Sequence, residues 1–236
     1  MTRRRWIADE FSTDYAALTG SHADHLSRVL RAKVGQVFDI AVADQVRRAR
    51  ITRIEQDRVE FELGELIPVP QPTQVTLALS IFKFDRMEWA IEKCTELGVA
   101  RILPVIARRT EAHLSVAAVK RVERWQRIVK QAAEQSRRAS PPEVAQPIKL
   151  KDALASPGST RIVLSESEKD ITLSDALQSA ASDVVLAVGP EGGWTDSEID
   201  QFRETRWSSA SLGGTILRAE TAAIAALAVV LAELQQ

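Results

Sequence analysis

Hydrophobic and polar positions change their period along the chain, and the change divides it. From Gln36 to Val42, Val46 to Ile54 and Val59 to Leu66 they alternate, as on half-buried strands. The links between them, Ala43-Asp44-Gln45 and Glu55-Gln56-Asp57-Arg58, are polar enough for hairpin turns. Before them, Ser21 to Arg31 predicts one helix: Leu26, Val29 and Leu30 form an apolar stripe, while His25, Arg28 and Arg31 recur at i, i+3 on another side. Such a row of cations suits phosphate contact or a plain solvated surface. The stretch Met1 to Ile67 therefore predicts a small β-rich unit. Pro68-Val69-Pro70-Gln71-Pro72 continues neither a helix nor a central strand, and sets domains over residues 1–70 and 73–236.

Beyond that boundary strands and helices take turns. Strands are predicted at Val75 to Phe82, Val99 to Ala107, Arg161 to Glu166 and Val184 to Val188, with a short one at Ser208 to Leu212. Helices are predicted at Asp85 to Leu97 with Gly98 as its stop, Ser115 to Arg138, Asp152 to Ala155 and Ser174 to Ala181. This alternation predicts an α/β domain whose mostly parallel sheet carries helices on both faces. The last helix, Ala219 to Leu234, is apolar on nearly every side, so a second subunit is expected to cover it.

Two glycine-rich turns, within Ala187 to Arg218, draw most attention. Val184 to Val188 ends at Gly189-Pro190-Glu191-Gly192-Gly193-Trp194, and Thr195 with Glu198 then has capping-box spacing. Trp194 and Ile199 stand where a hydrophobic staple would. Gly192 and Gly193 are expected to supply positive φ and to let backbone approach a ligand. The second turn runs through Leu212-Gly213-Gly214-Thr215-Ile216-Leu217-Arg218. One such turn is ordinary loop punctuation; two, separated by one helix and one short strand, favour a shared pocket at the strand ends. Neither turn has the spacing of a dinucleotide fingerprint or of a P-loop, and no lysine follows either glycine pair. The expected ligand is small, held mainly by backbone groups, and not strongly anionic.

Composition narrows the setting. The chain has 236 residues and a single cysteine, Cys94, which excludes an internal disulfide framework and fits a reducing compartment. His22, His25 and His113 show no metal-ligand spacing, so no metal is expected. No secretory leader or membrane span is predicted, and the expected location is cytoplasmic. The net charge of −1 averages unlike regions. Residues 73–151 carry 15 Lys/Arg against 8 Asp/Glu, and residues 152–236 carry 5 against 13. The basic middle suits a polyanionic partner or a solvated helix face.

Particular residues then point to a family. The segment Gly189-Pro190-Glu191-Gly192-Gly193 with Thr195 and Glu198, followed by Leu212-Gly213 and Ile216-Leu217-Arg218-Ala219-Glu220-Thr221-Ala222, resembles the signature of the SPOUT-class RNA methyltransferases. More closely, the chain is similar to the ribosomal RNA small-subunit methyltransferase E family. Arg5-Trp6, His25-Leu26, Arg28 to Arg31 and Gly35 match that family's N-terminal domain. Lys83, Arg86, Met87-Glu88, Glu92-Lys93 and Glu96 to Val99 match the start of its catalytic domain, and Glu134-Gln135-Ser136, Arg138 and Pro142 its central helix. The chain departs from the family pattern at Gly214-Thr215 and Phe84.

The resemblance implies a PUA-like RNA-binding β-barrel followed by an α/β domain with a deep trefoil knot. It implies binding of S-adenosylmethionine, a homodimer formed through the C-terminal domain, and methylation of N3 of a uridine in the decoding region of 16S rRNA in the small ribosomal subunit. Leu164, Gly189, Glu191, Gly192, Gly193, Leu212, Gly213, Ile216 and Leu217 are assigned to the cofactor. Arg218 is the first candidate to offset charge on the uracil, with an ion pair to Glu191 or Glu220 as its competing role. Glu220 is expected to orient Arg218 rather than accept the proton, and Glu134 or Gln135 to touch the base. Arg5, Arg28, Arg31, Lys83, Arg86, Arg108 and Arg109 are assigned to RNA phosphates. The rival readings are a non-catalytic RNA-binding ribosome-assembly factor and a nucleotide-using α/β enzyme.

Overall fold

The computed structural model describes residues 5–69, 73–178, 180 and 183–234. Contacts divide the chain into two units, Met1–Gln71 with Ala133–Pro141, and Pro72–Ala132 with Pro142–Gln236. The proline-rich link predicted as a boundary includes Pro70, Gln71 and Pro72, which lie outside the described residues.

In the first unit, the strands are β1 (Trp6–Ile7), β2 (Glu10–Phe11), β3 (Tyr15–Thr19), β4 (Val37–Val42), β5 (Gln45–Ile54) and β6 (Arg58–Ile67). They form one sheet in the order β1-β4-β5-β6-β3-β2, with β1 and β4 parallel and the other pairs antiparallel. The three alternating runs become β4, β5 and β6. Between β4 and β5 only Ala43 and Asp44 intervene, at φ of 46° and 64°; two positive φ values in a two-residue link match the twist of a hairpin. Inward residues build a core that includes Trp6, Leu18, Leu26, Ile40, Ile51 and Phe61. Strands β1 and β2, two residues each, are too short to show a period and were not predicted.

The helix expected over Ser21 to Arg31 is different. An α-helical turn α1 (Gly20–Asp24) passes into a π-helical stretch, His25–Val29, where the Leu30 N–H reaches the His25 carbonyl at 3.0 Å. The wider turn puts later residues out of the 3.6-residue phase. Leu26 alone of the expected stripe is buried, while Val29 and Leu30 are 65% and 53% exposed. Arg31 has left the helix at φ 51°, so His25, Arg28 and Arg31 do not form one helical row.

The second unit contains β7 (Gln74–Ser80), α2 (Phe84–Leu97), β8 (Arg101–Ile106), α3 (Ala112–Ala118) and α4, whose full span is Val122–Gln135. It continues through β9 (Glu143–Val144), β10 (Ile148–Lys149), α5 (Leu150–Leu154), β11 (Thr160–Leu164) and α6 (Leu173–Leu177). Last come β12 (Asp183–Val188), α7 (Asp196–Glu204), β13 (Ser208–Ala210) and α8 (Ala219–Leu234). Every strand pair is parallel, in the order β10-β8-β7-β12-β11-β13, with β9 also on β8. Alternate residues serve opposite faces. Leu77, Ile102 and Leu186 meet Ile91 of α2, Trp125 of α4 and Leu227 of α8 in one core cluster. Ala78, Leu103 and Val185 meet Leu154 of α5 and Phe202 of α7 in the other. The expected parallel sheet with helices on both faces is present.

Two helices differ from expectation. The long helix Ser115 to Arg138 is α3, a 3₁₀ turn at Val119–Arg121, and α4, and Arg137 beyond it takes φ 62°. The helix expected at Ser174 to Ala181 is the shorter α6; Ser179 and Ala181 lie outside the described residues. Gly98 closes α2 at φ 118°, as its position predicted. Helix α8 is covered largely by its own chain: Ala223, Ala226, Leu227, Val230 and Leu231 are buried, and Thr221, Ala228 and Ala232 face outward.

Candidate functional site

Strand β12 delivers the first glycine turn. The Gly193 N–H bonds the Pro190 carbonyl at 2.8 Å, and Gly193 takes φ 70°. Gly192 is not in the left-handed region, which corrects the expectation that both glycines supply positive φ. Its bareness serves space: a Cβ there would lie 3.2 Å from Cδ of Arg109. The Arg109 guanidinium donates to the carbonyls of Gly192 and Trp194, bracing the turn. Gly189 is crowded in the same way, since a Cβ would lie 3.2 Å from Nε1 of Trp194. That indole N–H donates to the Leu164 carbonyl at 3.1 Å, so the ring is fixed from the end of β11.

The expected capping box closes the turn from the other side. Thr195 accepts from the Glu198 N–H at 3.3 Å, while Oε2 of Glu198 accepts from the Thr195 N–H and hydroxyl, each at 2.8 Å. Oε1 accepts from the Arg108 N–H at 2.7 Å, so one buried carboxylate joins the end of β8 to the start of α7. Trp194 and Ile199 pack against one apolar cluster, as a staple should.

The second turn leaves β13. The Ser211 N–H bonds the Ile171 carbonyl and the Leu173 N–H bonds the Ser211 carbonyl, both at 2.9 Å. Gly213 follows at φ 109° in open space, and Ile216 is 82% exposed. The two turns face one cavity of about 510 Å³, within the range for small-molecule sites. All nine residues assigned to a cofactor line it: Leu164, Gly189, Glu191, Gly192, Gly193, Leu212, Gly213, Ile216 and Leu217.

A third wall was missed in the sequence. Ser165 to Lys169 and Thr172, following β11, also line the cavity. The Ser165 N–H bonds the Ala210 carbonyl at 3.0 Å, and Glu168 accepts from the N–H groups of Asp170 and Ile171. Those two donors hold the Glu168 carboxyl below the usual carboxylate range. The signal for this wall was positional, because a loop at the carboxyl end of a central parallel strand is where ligands bind. Charged side chains around the cavity are Glu166, Glu168, Glu191 and Asp196 against Arg109 and Lys169. With Arg109 engaged by carbonyls, the lining favours a ligand of positive or no charge.

The candidate catalytic residues are arranged differently from the expected pairs. Arg86 of α2 donates to Glu191 at 2.7 Å, and its Nε stands 3.8 Å from Glu220. It therefore fastens the first turn to the start of α8, taking both carboxylates considered for Arg218. The other Glu220 oxygen, Oε2, is buried and has no hydrogen-bond partner among the described residues. Arg218 is exposed, and its side chain has no bonded partner among the described residues. Glu134 belongs with the first unit, fully buried, with Oε1 3.3 Å from Nε2 of His22. His22 also meets Asp9 at 3.1 Å.

Among the cations assigned to RNA, Lys83, Arg31 and Arg108 are exposed. Arg28 pairs with Asp24 at 3.2 Å. Arg5 donates to the Arg137 carbonyl, and partial burial lowers its pKa against the opposing pull of Asp39. Burial pushes the Cys94 thiol up to about 12, which disqualifies it as a nucleophile. Among the described residues no group of three or more His, Cys, Asp or Glu side chains is placed to hold a metal, and no helix is long and apolar enough to cross a membrane.

A parallel sheet whose strand ends carry two facing glycine turns defines a class: residues 69–231 match the family described as RNA methyltransferase domain. Full-length relatives narrow it. The ribosomal RNA small subunit methyltransferase E of Rickettsia conorii is 34% identical over 88% of this chain and 85% of that protein. The crystal structure of a ribosomal RNA small subunit methyltransferase E from Neisseria gonorrhoeae bound to S-adenosyl methionine is 33% identical. It superposes with a TM-score of 0.86 over 98% of this chain and 97% of that one. A putative methyltransferase from Legionella pneumophila in complex with bound SAM is 29% identical, with a TM-score of 0.84 over 98% of both chains. The chain belongs to the ribosomal RNA small subunit methyltransferase E family.

Proposed function

We propose that this protein methylates N3 of one uridine in the decoding region of 16S rRNA, using S-adenosylmethionine. The carrying observation is the cavity where both glycine turns meet with all nine assigned residues. The fit is chemical as well as spatial. Carboxylates around the cavity suit a ligand that carries a sulfonium and an ammonium, while Leu164, Leu212, Ile216 and Leu217 offer apolar surface to an adenine ring. When bound, this cofactor supplies an electrophilic methyl group.

The chain's own residues supply position and charge. Arg109, Glu198 and Trp194 hold the first turn rigid, so little ordering is left for the moment of binding. Alignment of reacting groups contributes ~7–11 kcal/mol in favourable cases. Uracil N3 must lose its proton, and a cation beside the carbonyls offsets the resulting charge. Arg218 suits this role because Arg86 already satisfies Glu191 and stands beside Glu220. Uridine N3 is engaged in a base pair in duplex RNA, so the target base must be unpaired or flipped out.

The wider reading follows the same family. The sheet of the first unit is taken as a PUA-like barrel that holds RNA, with Arg31 as one phosphate contact; Lys83 and Arg108 serve from the second unit. The segment after β13 is taken to thread the loop after β11 as a trefoil knot, supported by Ser211 bonding both Ile171 and Leu173. A cytoplasmic homodimer, formed against the outward face of α8, completes it. Calorimetry is the direct test: S-adenosylmethionine is expected to bind with one site per chain, and ATP and NAD not to bind. Silence with S-adenosylmethionine overturns the reading. Mass spectrometry of 16S rRNA from cells lacking the protein is expected to show one uridine methyl group lost. An intact methyl group refutes the assigned position.

A further inference from the structure

The stretch from Arg28 to Val37 holds three cations, Arg28, Arg31 and Lys33, and no acidic residue. It also turns aliphatic side chains outward: Val29 and Leu30 as above, and Val34 at 61% exposed. Single surface aliphatics need no explanation. Three of them, interleaved with cations in one short loop, form a surface of mixed character, of which the reading above uses Arg31 alone.

The loop is held in this form rather than loose. Leu26 anchors its start in the core. The Ala32 N–H bonds the Leu26 carbonyl at 3.1 Å, and Lys33 N–H bonds Oε1 of Gln36 at 3.0 Å. The Gly35 N–H bonds the Ile51 carbonyl at 2.8 Å, and Arg50 donates to the Gly35 carbonyl at 3.1 Å. Arg50 adds a fourth cation on the neighbouring strand, directly opposite Val37. Arg31 sits at φ 51°, a left-handed conformation that strains a residue with a Cβ. The fold keeps that strain while leaving Val29, Leu30 and Val34 in water.

We propose that this loop binds single-stranded RNA by two separable means: Arg31 and Lys33 meet phosphates, and Val29, Leu30 and Val34 form an aliphatic bed for the faces of unpaired bases. The inference rests on the RNA-methyltransferase reading and adds to it an uncharged, base-contacting surface. The rim selects the occupant. Arg28 is taken by Asp24, but Arg31 and Lys33, which no acid engages among the described residues, complement a polyphosphate chain, and apolar side chains between them find a flat apolar partner only where bases are unstacked. In a duplex the base faces are covered, so the bed has nothing to touch there.

Fluorescence anisotropy with the full chain separates the two means, using a twelve-nucleotide oligouridylate and a duplex of equal length over a salt series. The double variant Leu30→Ser, Val34→Ser is expected to bind the single strand about tenfold more weakly, about 1.4 kcal/mol. Its duplex affinity and its salt dependence should match the parent, because no counterion-releasing contact is lost. Leu30→Trp enlarges the bed and is expected to tighten single-strand binding severalfold, so misfolding cannot imitate both results. Arg31→Ala should instead flatten the salt slope for both RNAs. Unchanged single-strand affinity, or an equal loss on strand and duplex, overturns the bed and leaves the RNA reading standing. Failure of the unaltered protein to bind either RNA overturns both.

Discussion

At Gly189 the methyl group of an alanine would lie 3.2 to 3.4 Å from three atoms of the Trp194 ring. That ring cannot retreat freely, because its N–H is tied to the Leu164 carbonyl and its face packs edge-on to Phe202 with centroids 4.9 Å apart. Gly192 is crowded by the flexible Cδ of Arg109 instead, which can swing aside at the cost of its bonds to the turn. Gly189→Ala is therefore expected to weaken S-adenosylmethionine binding more than Gly192→Ala and to cost about 1–3 kcal/mol of stability by overpacking. Calorimetry and urea unfolding check this, and equal effects at the two positions would contradict it. The glycines were legible in the sequence as a turn. Their separate reasons were not, since Arg109 lies 83 residues before Gly192 and only folding brings them together.

At the scale of elements, local rules did well where a local bond decides. Thr195 with Glu198 predicted the start of α7, and Gly98 the end of α2. They were silent on two irregularities inside helices. Nothing in Ser115 to Arg138 interrupts the apolar period, yet the helix is split at Val119–Arg121. The π-helical stretch after α1 has no breaker residue to announce it. Glu198 shows both sides at once, because its capping role was legible and its bond to the Arg108 N–H was not. Glu198→Gln keeps the volume but replaces a carboxylate that accepts from three donors. The expected loss is about 1.5–3 kcal/mol, the range for hydrogen bonds to a charged group. In urea the unfolding midpoint should fall with the slope unchanged. A midpoint equal to the parent would show that the carboxylate does not fasten β8 to α7.

For the whole molecule, periodicity separated a β-rich stretch from one of alternating strands and helices, but neither strand order nor the grouping of Ala133–Pro141 with the first unit was legible in it. The chain places β12 between β7 and β11 and sends β13 to the far side of β11. Period and length carry no information on which neighbour a buried strand takes, and this choice brings the two glycine turns to one cavity. The same limit applies to α8. An all-round apolar helix demands cover without saying from where, and α2 and α6 supply part of it within the chain. Its two faces therefore respond differently to substitution. Leu227→Ala removes a fully buried side chain and is expected to cost about 2–5 kcal/mol in urea unfolding. Ala228 faces outward, so Ala228→Arg should leave far-UV circular dichroism unchanged while placing a charge in the proposed dimer contact. Sedimentation at micromolar concentration is expected to show a dimer for the parent and a monomer for Ala228→Arg. A monomeric parent would remove the second subunit from the reading, and a dimeric Ala228→Arg would move the contact away from this face of α8.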